Sequence, residues 1–122
     1  MSVRHIYIHV PFCDGKCLYC AFYSRPCMAA DADAWLRAVS AEIGRWTARF
    51  GRLRPLTIYL GGGTPTVLSC AQIESLCGLL RDACRLDRLM EWTFEANPGT
   101  LDGRKLDILG RAGVNRISLG VQ

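Results

Sequence analysis

The chain has 122 residues, half of them hydrophobic and 21% charged, with a formal net charge of +4. This composition is typical of a globular domain and excludes a disordered or low-complexity chain. The arginines of RWTARFGRLR fit the last turn of a helix, where positive charge complements the helix dipole, so we predict no nucleic-acid partner. No apolar run is long enough for a signal peptide or a membrane span, and we expect a cytoplasmic protein.

The first half of the chain predicts a strand, a helix and a second strand. His5 to Val10 alternates apolar and polar residues with the period of a strand, and Leu56 to Leu60 does the same. Between them, apolar residues recur with a three-then-four spacing that indicates one buried helix face. These residues are Leu36, Val39, Ile43, Trp46 and Phe50.

The second half predicts two more helices and two more strands. Ser69 and Gln72 have the spacing of a capping box that opens a helix. After a strand at Glu91 to Ala96, we expect Thr100 to cap a third helix that ends at Gly113. A fourth strand is predicted for Val114 to Val121.

Strands that alternate with helices indicate an α/β fold with parallel strands, either a doubly wound sheet or a β/α barrel. One face of each predicted strand is apolar, whereas the other face is too polar for a sheet covered by helices on both sides. The polar residues are His5, Tyr7, His9, Thr57, Tyr59, Thr93, Glu95, Ser118 and Gln122. We therefore predict part of a barrel with a polar interior and a site at the carboxyl ends of the strands. Four strands are too few for closure, so we expect residues 1–122 to be the N-terminal portion of a longer domain.

Three of the seven cysteines lie in PFCDGKCLYCAF, directly after the first predicted strand. Cys13, Cys17 and Cys20 are close enough in sequence to bind one metal site, and a reducing compartment disfavours disulfides. The spacing also suits zinc, with Cys27 or His9 as a fourth ligand, so spacing alone leaves zinc and an iron-sulfur cluster open.

The remaining cysteines predict no metal site. Cys70, Cys77 and Cys84 recur every seven residues on one predicted helix face, but neighbours are about 10.5 Å apart along the axis. We interpret Cys77 and Cys84 as small core residues.

Four segments, YIHVPFCDGKCLYC, YLGGGTPT, FEANPGT and RISLGVQ, follow one another at predicted strand ends. In this order they resemble the radical S-adenosylmethionine (SAM) enzymes, and among them the branch of oxygen-independent coproporphyrinogen III oxidase and the haem chaperone HemW. The resemblance implies the N-terminal part of a partial β/α barrel, with four parallel strands alternating with three helices. It also implies that three cysteines hold a [4Fe-4S] cluster whose fourth iron binds SAM, which the reduced cluster cleaves to start radical chemistry.

The resemblance assigns roles to individual residues. It implies that Cys13, Cys17 and Cys20 bind the cluster and that Tyr19 lies beside the adenine. The other residues that it implies at the SAM site are Tyr7, Gly61, Gly62, Gly63, Thr64, Glu95 and Gln122. We expect the glycines to let the backbone approach the ligand, and His9 to hold the cysteine loop by a hydrogen bond. His5 has no assigned role.

One departure from the family's sequence pattern bears on which of its two branches, oxidase or haem chaperone, the chain resembles. The decarboxylating oxidases usually carry a further cysteine two positions after the third, where this chain has Phe22. The resemblance therefore implies a haem chaperone that binds haem or porphyrin, receives electrons from a donor and passes haem to accepting proteins. Oxidative decarboxylation of coproporphyrinogen is the alternative. A zinc-stabilised or electron-transfer iron-sulfur module is an alternative of another class, although such a module would not need the SAM-site segments.

Overall fold

The computed structural model describes residues 3–13, 25–26 and 29–120 of the chain. The predicted alternation of strands and helices is confirmed, and two very short strands are added to it. The elements are β1 (His5–Val10), β2 (Phe12–Cys13), β3 (Arg25–Pro26), α1 (Ala29–Phe50), β4 (Thr57–Gly62), α2 (Cys70–Ala83), β5 (Glu91–Ala96), α3 (Gly103–Ala112) and β6 (Arg116–Leu119).

The four longer strands form one parallel sheet in the order β1-β4-β5-β6. Strands that are neighbours both in sequence and in space, joined by right-handed crossovers, bring all connecting helices to one face. Accordingly α1 packs on α2, and α2 packs on α3. This is the arrangement expected for an arc of a β/α barrel, and the predicted α/β class is confirmed.

The core lies between the helices and the apolar face of the sheet. The fully buried side chains there include Val10, Ile58, Leu60, Trp92 and Phe94 from the strands, and Ile73, Leu76 and Leu80 from α2. The opposite face carries the exposed His5, Tyr7 and His9, as the alternation predicts. Two residues differ: Thr93 is fully buried on the polar face, and Leu119 is 52% exposed because β6 is an edge strand of the described sheet.

The strand ends differ from the predicted ones in an informative way. β4 continues past Leu60 through Gly62 because Gly61 and Gly62 pair in register with His9 and Val10. β6 is shorter than predicted, and Val121 and Gln122 lie outside the described residues.

The helix ends confirm two predictions and correct a third. Ser69 and Gln72 form the predicted capping box, and Gly113 ends α3 with a left-handed φ of 116°. Thr100 does not cap α3, so that prediction was wrong. Asp102 is the cap, since its side chain accepts a hydrogen bond from the Lys105 N–H, and Thr100 belongs to a preceding 3₁₀ turn.

The apolar stripe of α1 is only partly covered. Leu36, Val39 and Ile43 pack against the core, whereas Trp46 is 46% exposed and stacks on Phe50 with ring centroids 5.6 Å apart. α1 borders the edge strand β1, so a groove of about 560 Å³ lies between the helix and that strand. None of the described helices is both long enough and apolar enough to cross a membrane.

Candidate functional site

The predicted site residues that the structure describes lie at or just beyond the carboxyl ends of β1, β4 and β5, apart from Tyr7 in the middle of β1. Gly61 and Gly62 end β4, Glu95 is the penultimate residue of β5, and His9 is the penultimate residue of β1. Parallel strands bring these ends to one edge of the sheet, so residues far apart in sequence become neighbours.

The glycine segment is joined to the strand that leads into the first cysteine. The Gly63 N–H donates to the Val10 carbonyl over 2.7 Å, and the Thr64 N–H donates to the Phe12 carbonyl over 2.6 Å. These two bonds continue the β1–β4 ladder beyond the strand ends. Cys13 therefore lies one residue from a direct contact with the glycine segment.

The glycines are required by neighbouring protein atoms. A Cβ on Gly61 would lie 2.7 Å from Glu95 Oε1, and one on Gly63 would overlap the Phe12 carbonyl oxygen. Gly62 has a φ of 108°, and its Cβ would lie 2.8 Å from the His9 ring. We expected the lack of side chains here to let the backbone approach a ligand. In the structure, the lack of side chains is already required for packing against β1, β2 and Glu95.

Both oxygens of the Glu95 carboxylate have partners in the chain. The Tyr59 hydroxyl donates to Oε2 over 2.7 Å, and the Gly62 N–H donates to Oε1 over 3.1 Å. Because the two donors bind different oxygen atoms, they restrict rotation of the carboxylate. Each oxygen keeps lone-pair capacity for a further donor. Glu95 is thus an oriented, partly buried acceptor at the edge of the sheet.

An aromatic row crosses the polar face beside this carboxylate. Tyr7 stacks on Tyr59 with ring centroids 6.0 Å apart, and Tyr7 is 59% exposed. Partial burial, with a smaller effect of the Glu95 charge, raises the pKa of the Tyr7 hydroxyl. The two tyrosine rings offer a flat aromatic surface, with their hydroxyls mostly protonated, to a molecule bound on this face of the sheet.

The two histidines of β1 take different partners. His9 Nδ1 lies 3.2 Å from the Tyr7 hydroxyl, and its ring lies against Gly62, so it contacts the glycine segment by packing. The hydrogen bond from His9 to the cysteine loop remains a prediction, because most of that loop lies outside the described residues. His5 Nδ1 lies 2.8 Å from the Thr57 hydroxyl, at the other end of β1.

The loops after β4 and β5 are braced against each other by a lysine that the sequence did not single out. Lys105 Nζ donates to the Thr66 and Thr100 carbonyls over 2.7 and 3.0 Å. The hydroxyls of Thr66 and Thr100 are 2.8 Å apart. Only the tertiary structure brings this lysine of α3 to the loops, and no local pattern indicates it.

Cys77 and Cys84 are buried in the core, as predicted. Burial raises the pKa of the Cys77 thiol to about 12 and that of the Cys84 thiol to about 11, which fits inert core residues. Cys13 is partly buried in β2, whose partner β3 places Pro26 opposite it. Within residues 3–13, 25–26 and 29–120, no three side chains of His, Cys, Asp or Glu form a potential metal site. The predicted residues outside those ranges are Cys17, Tyr19, Cys20, Phe22, Cys27 and Gln122.

The described donor set is compatible with the groups implied by the sequence. A thiol, an oriented carboxylate and the backbone of the glycine segment converge on one edge of the sheet. Thiolates are the usual ligands of iron-sulfur clusters, and a carboxylate can accept hydrogen bonds from the amino group of SAM.

Comparison with known proteins supports the resemblance to the radical SAM enzymes. The family model described as the radical SAM superfamily matches residues 7–122. The heme chaperone HemW of Bacillus subtilis is 40% identical over 98% of this chain and 32% of its own length. The oxygen-independent coproporphyrinogen III oxidase of Cereibacter sphaeroides is 35% identical over 96% of this chain and 26% of its own length.

A solved structure gives the same result for the fold. The coproporphyrinogen III oxidase HemN from Escherichia coli, described as a radical SAM enzyme, superposes with a TM-score of 0.88 at 33% identity. The superposition covers 99% of this chain and 28% of HemN. The chain thus spans about a third or less of the length of these relatives.

Proposed function

Because the chain belongs to the radical SAM superfamily, we propose that it holds a [4Fe-4S] cluster on Cys13, Cys17 and Cys20 and binds SAM beside it. The observation that carries this proposal is the convergence of the Cys13 strand, the glycine segment and Glu95 at one edge of the sheet. When bound, the cluster supplies the electron that cleaves SAM, and the chain orients the cofactor and limits its contact with water.

The proposal gives a part to each described group and to two predicted residues outside the described ranges. Glu95 accepts a hydrogen bond from the amino group of SAM, and the backbone from Gly61 to Thr64 lies beside that group of the methionine portion. Tyr7 borders the cofactor on the polar face of the sheet. Tyr19 and Gln122 complete the site as contacts to the adenine and to SAM.

The cluster assignment is tested by anaerobic reconstitution of the intact protein. We expect about four irons and four sulfides per chain with a broad brown absorbance, and loss of both in Cys13→Ala, Cys17→Ala and Cys20→Ala. Cys77→Ala is the matched control, because Cys77 is a core residue that is only 3% exposed; this variant should bind iron normally. Stoichiometric zinc in protein purified without oxygen, with no uptake of iron, would favour the structural zinc module and refute the cluster.

For the whole protein, we propose haem binding and delivery, with haem or porphyrin, an electron donor and haem-accepting proteins as partners. Phe22 in place of the oxidases' additional cysteine and the 40% identity to the Bacillus subtilis heme chaperone support this proposal. The alternative is oxidative decarboxylation of coproporphyrinogen, and the observation in its support is the close superposition on HemN.

One assay separates these two functions. The intact, reconstituted protein is incubated without oxygen with reductant, SAM and coproporphyrinogen, and the oxidised porphyrins are separated by chromatography. A parallel titration measures haem binding. We expect stoichiometric haem binding without a doubly decarboxylated product, whereas catalytic formation of that product would identify an oxidase and leave the cluster assignment unchanged.

A further inference from the structure

Tyr59 lies on the polar face of β4 between β1 and β5; it begins the segment YLGGGTPT, but the resemblance assigns it no role in the site. Its hydroxyl reaches diagonally across to β5 and donates to Glu95 Oε2 over 2.7 Å. The second carboxylate oxygen accepts the Gly62 N–H over 3.1 Å. The tyrosine therefore contributes one of the two hydrogen bonds that the structure shows holding the Glu95 carboxylate.

The Tyr59 ring packs closely against two neighbours. It stacks on Tyr7 with an angle of 19° between the ring planes. It also lies so near Gly61 that a Cβ on that residue would be only 2.9 Å from Tyr59 Cε1. The missing side chain at Gly61 thus lets the phenol ring and the Glu95 carboxylate pack over the backbone of β4.

The tyrosine remains a hydrogen-bond donor under physiological conditions. Its bond to Glu95, with burial as a second cause, raises the pKa of the Tyr59 hydroxyl above its ordinary value of 10.0. The hydroxyl therefore keeps its proton at neutral pH, and the carboxylate acts as the acceptor.

We propose that Tyr59 is a positioning residue that orients the Glu95 carboxylate toward the amino group of the bound cofactor. The inference rests on the proposed function, since it assumes that Glu95 accepts a hydrogen bond from that amino group. Charge-assisted hydrogen bonds depend on direction, so a carboxylate that can rotate freely forms a weaker contact. Without the phenol hydroxyl, Glu95 would keep the Gly62 N–H and lose the donor on Oε2.

The experiment uses Tyr59→Phe, which retains the ring and its stacking and removes only the hydroxyl. Equilibrium dialysis of the intact, reconstituted protein measures the Kd of SAM and of 5′-methylthioadenosine, which lacks the amino acid portion. We expect the Kd of SAM to rise about tenfold, because a Glu95 carboxylate that can rotate weakens one charge-assisted hydrogen bond to the cofactor, and we expect the Kd of methylthioadenosine to stay unchanged.

Two further variants separate positioning from a structural role. Thr93→Val removes another hydroxyl from the same face of the sheet, one that donates to Glu91 over 3.1 Å, and should leave both Kd values as in the parent protein. In a Glu95→Ala background, Tyr59→Phe should have no further effect on the Kd of SAM, because Tyr59 influences SAM binding only through Glu95.

The outcomes distinguish this inference from the proposal on which it rests. If Glu95→Ala weakens SAM binding and Tyr59→Phe does not, the positioning role is refuted while the SAM site stands. Equal weakening of SAM and methylthioadenosine by Tyr59→Phe would also refute it, since the tyrosine would then support the pocket as a whole. A parent protein that contains its cluster and fails to bind SAM would refute the proposed function itself.

Discussion

Gly63→Ala tests the close approach between the glycine segment and the strand that leads to Cys13. The added Cβ would overlap the Phe12 carbonyl oxygen and lie 2.8 Å from the carbonyl carbon, both of them backbone atoms. Relief requires the two backbones to separate, which disrupts the bonds from Gly63 to Val10 and from Thr64 to Phe12. Two hydrogen bonds at about 1 kcal/mol each, together with about 1–2 kcal/mol for overpacking, predict a loss of about 3–4 kcal/mol.

The assay is urea unfolding of the intact protein, followed by far-UV circular dichroism and analysed by linear extrapolation. Gly44→Ala is the matched control, because Gly44 lies inside α1 with no atom within 4 Å of its added Cβ. The same substitution there should raise the free energy of unfolding by about 0.5–1 kcal/mol. A Gly63→Ala protein as stable as its parent would show that the glycine segment does not pack on Phe12 as described.

Two further predictions concern a buried thiol and the brace between loops. Burial raises the pKa of the Cys77 thiol from its ordinary value of 9.0 to about 12, so its contribution to stability is complete below pH 9 and is lost as the pH rises toward 12. Cys77→Ala should flatten the fall in unfolding free energy over that range, with part of the fall remaining through Cys84; parallel curves for variant and parent would contradict the assignment. Lys105→Met should lower the free energy of unfolding by about 1.5–3 kcal/mol because it removes a charged donor from two carbonyls. Arg111→Gln, which breaks only an exposed ion pair with Asp107, should cost less than about 0.5 kcal/mol in the same measurement, and equal losses would argue against the brace.

The accuracy of the sequence-based predictions varied with the range of the interaction. The capping box at Ser69, the terminal glycine of α3 and the two faces of β1 are local patterns, and the structure confirms them. The cap of α3 was misplaced because Thr100 and Asp102 are both acceptable caps, and the chain forms a 3₁₀ turn before the helix starts. Trp46 matches the helical stripe but is half exposed, since α1 borders an edge strand of the described sheet.

The predictions for the candidate site likewise succeeded for local patterns and missed long-range contacts. The alternation of β5 correctly put Glu95 on the polar face, and the order of the strands put it at the edge that also carries the glycine segment. Tyr59 was on the predicted polar face as well, so the alternation alone could have suggested it as a neighbour of Glu95. Nothing in the local sequence signalled Lys105, whose partners lie up to 39 positions away.

The sequence by itself determined the order of the elements, the polar and apolar faces of the strands, and the cysteine and glycine segments at the strand ends. These features depend on periods of two or three to four residues and on residue chemistry, which are local properties of the chain. Only the tertiary structure decided that Tyr59 and Gly62 hold Glu95, that Gly63 packs on Phe12 and that Lys105 joins two loops. The contacts to Glu95, for example, join residues 33 and 36 positions apart, and they depend on strand register, which local periodicity leaves open.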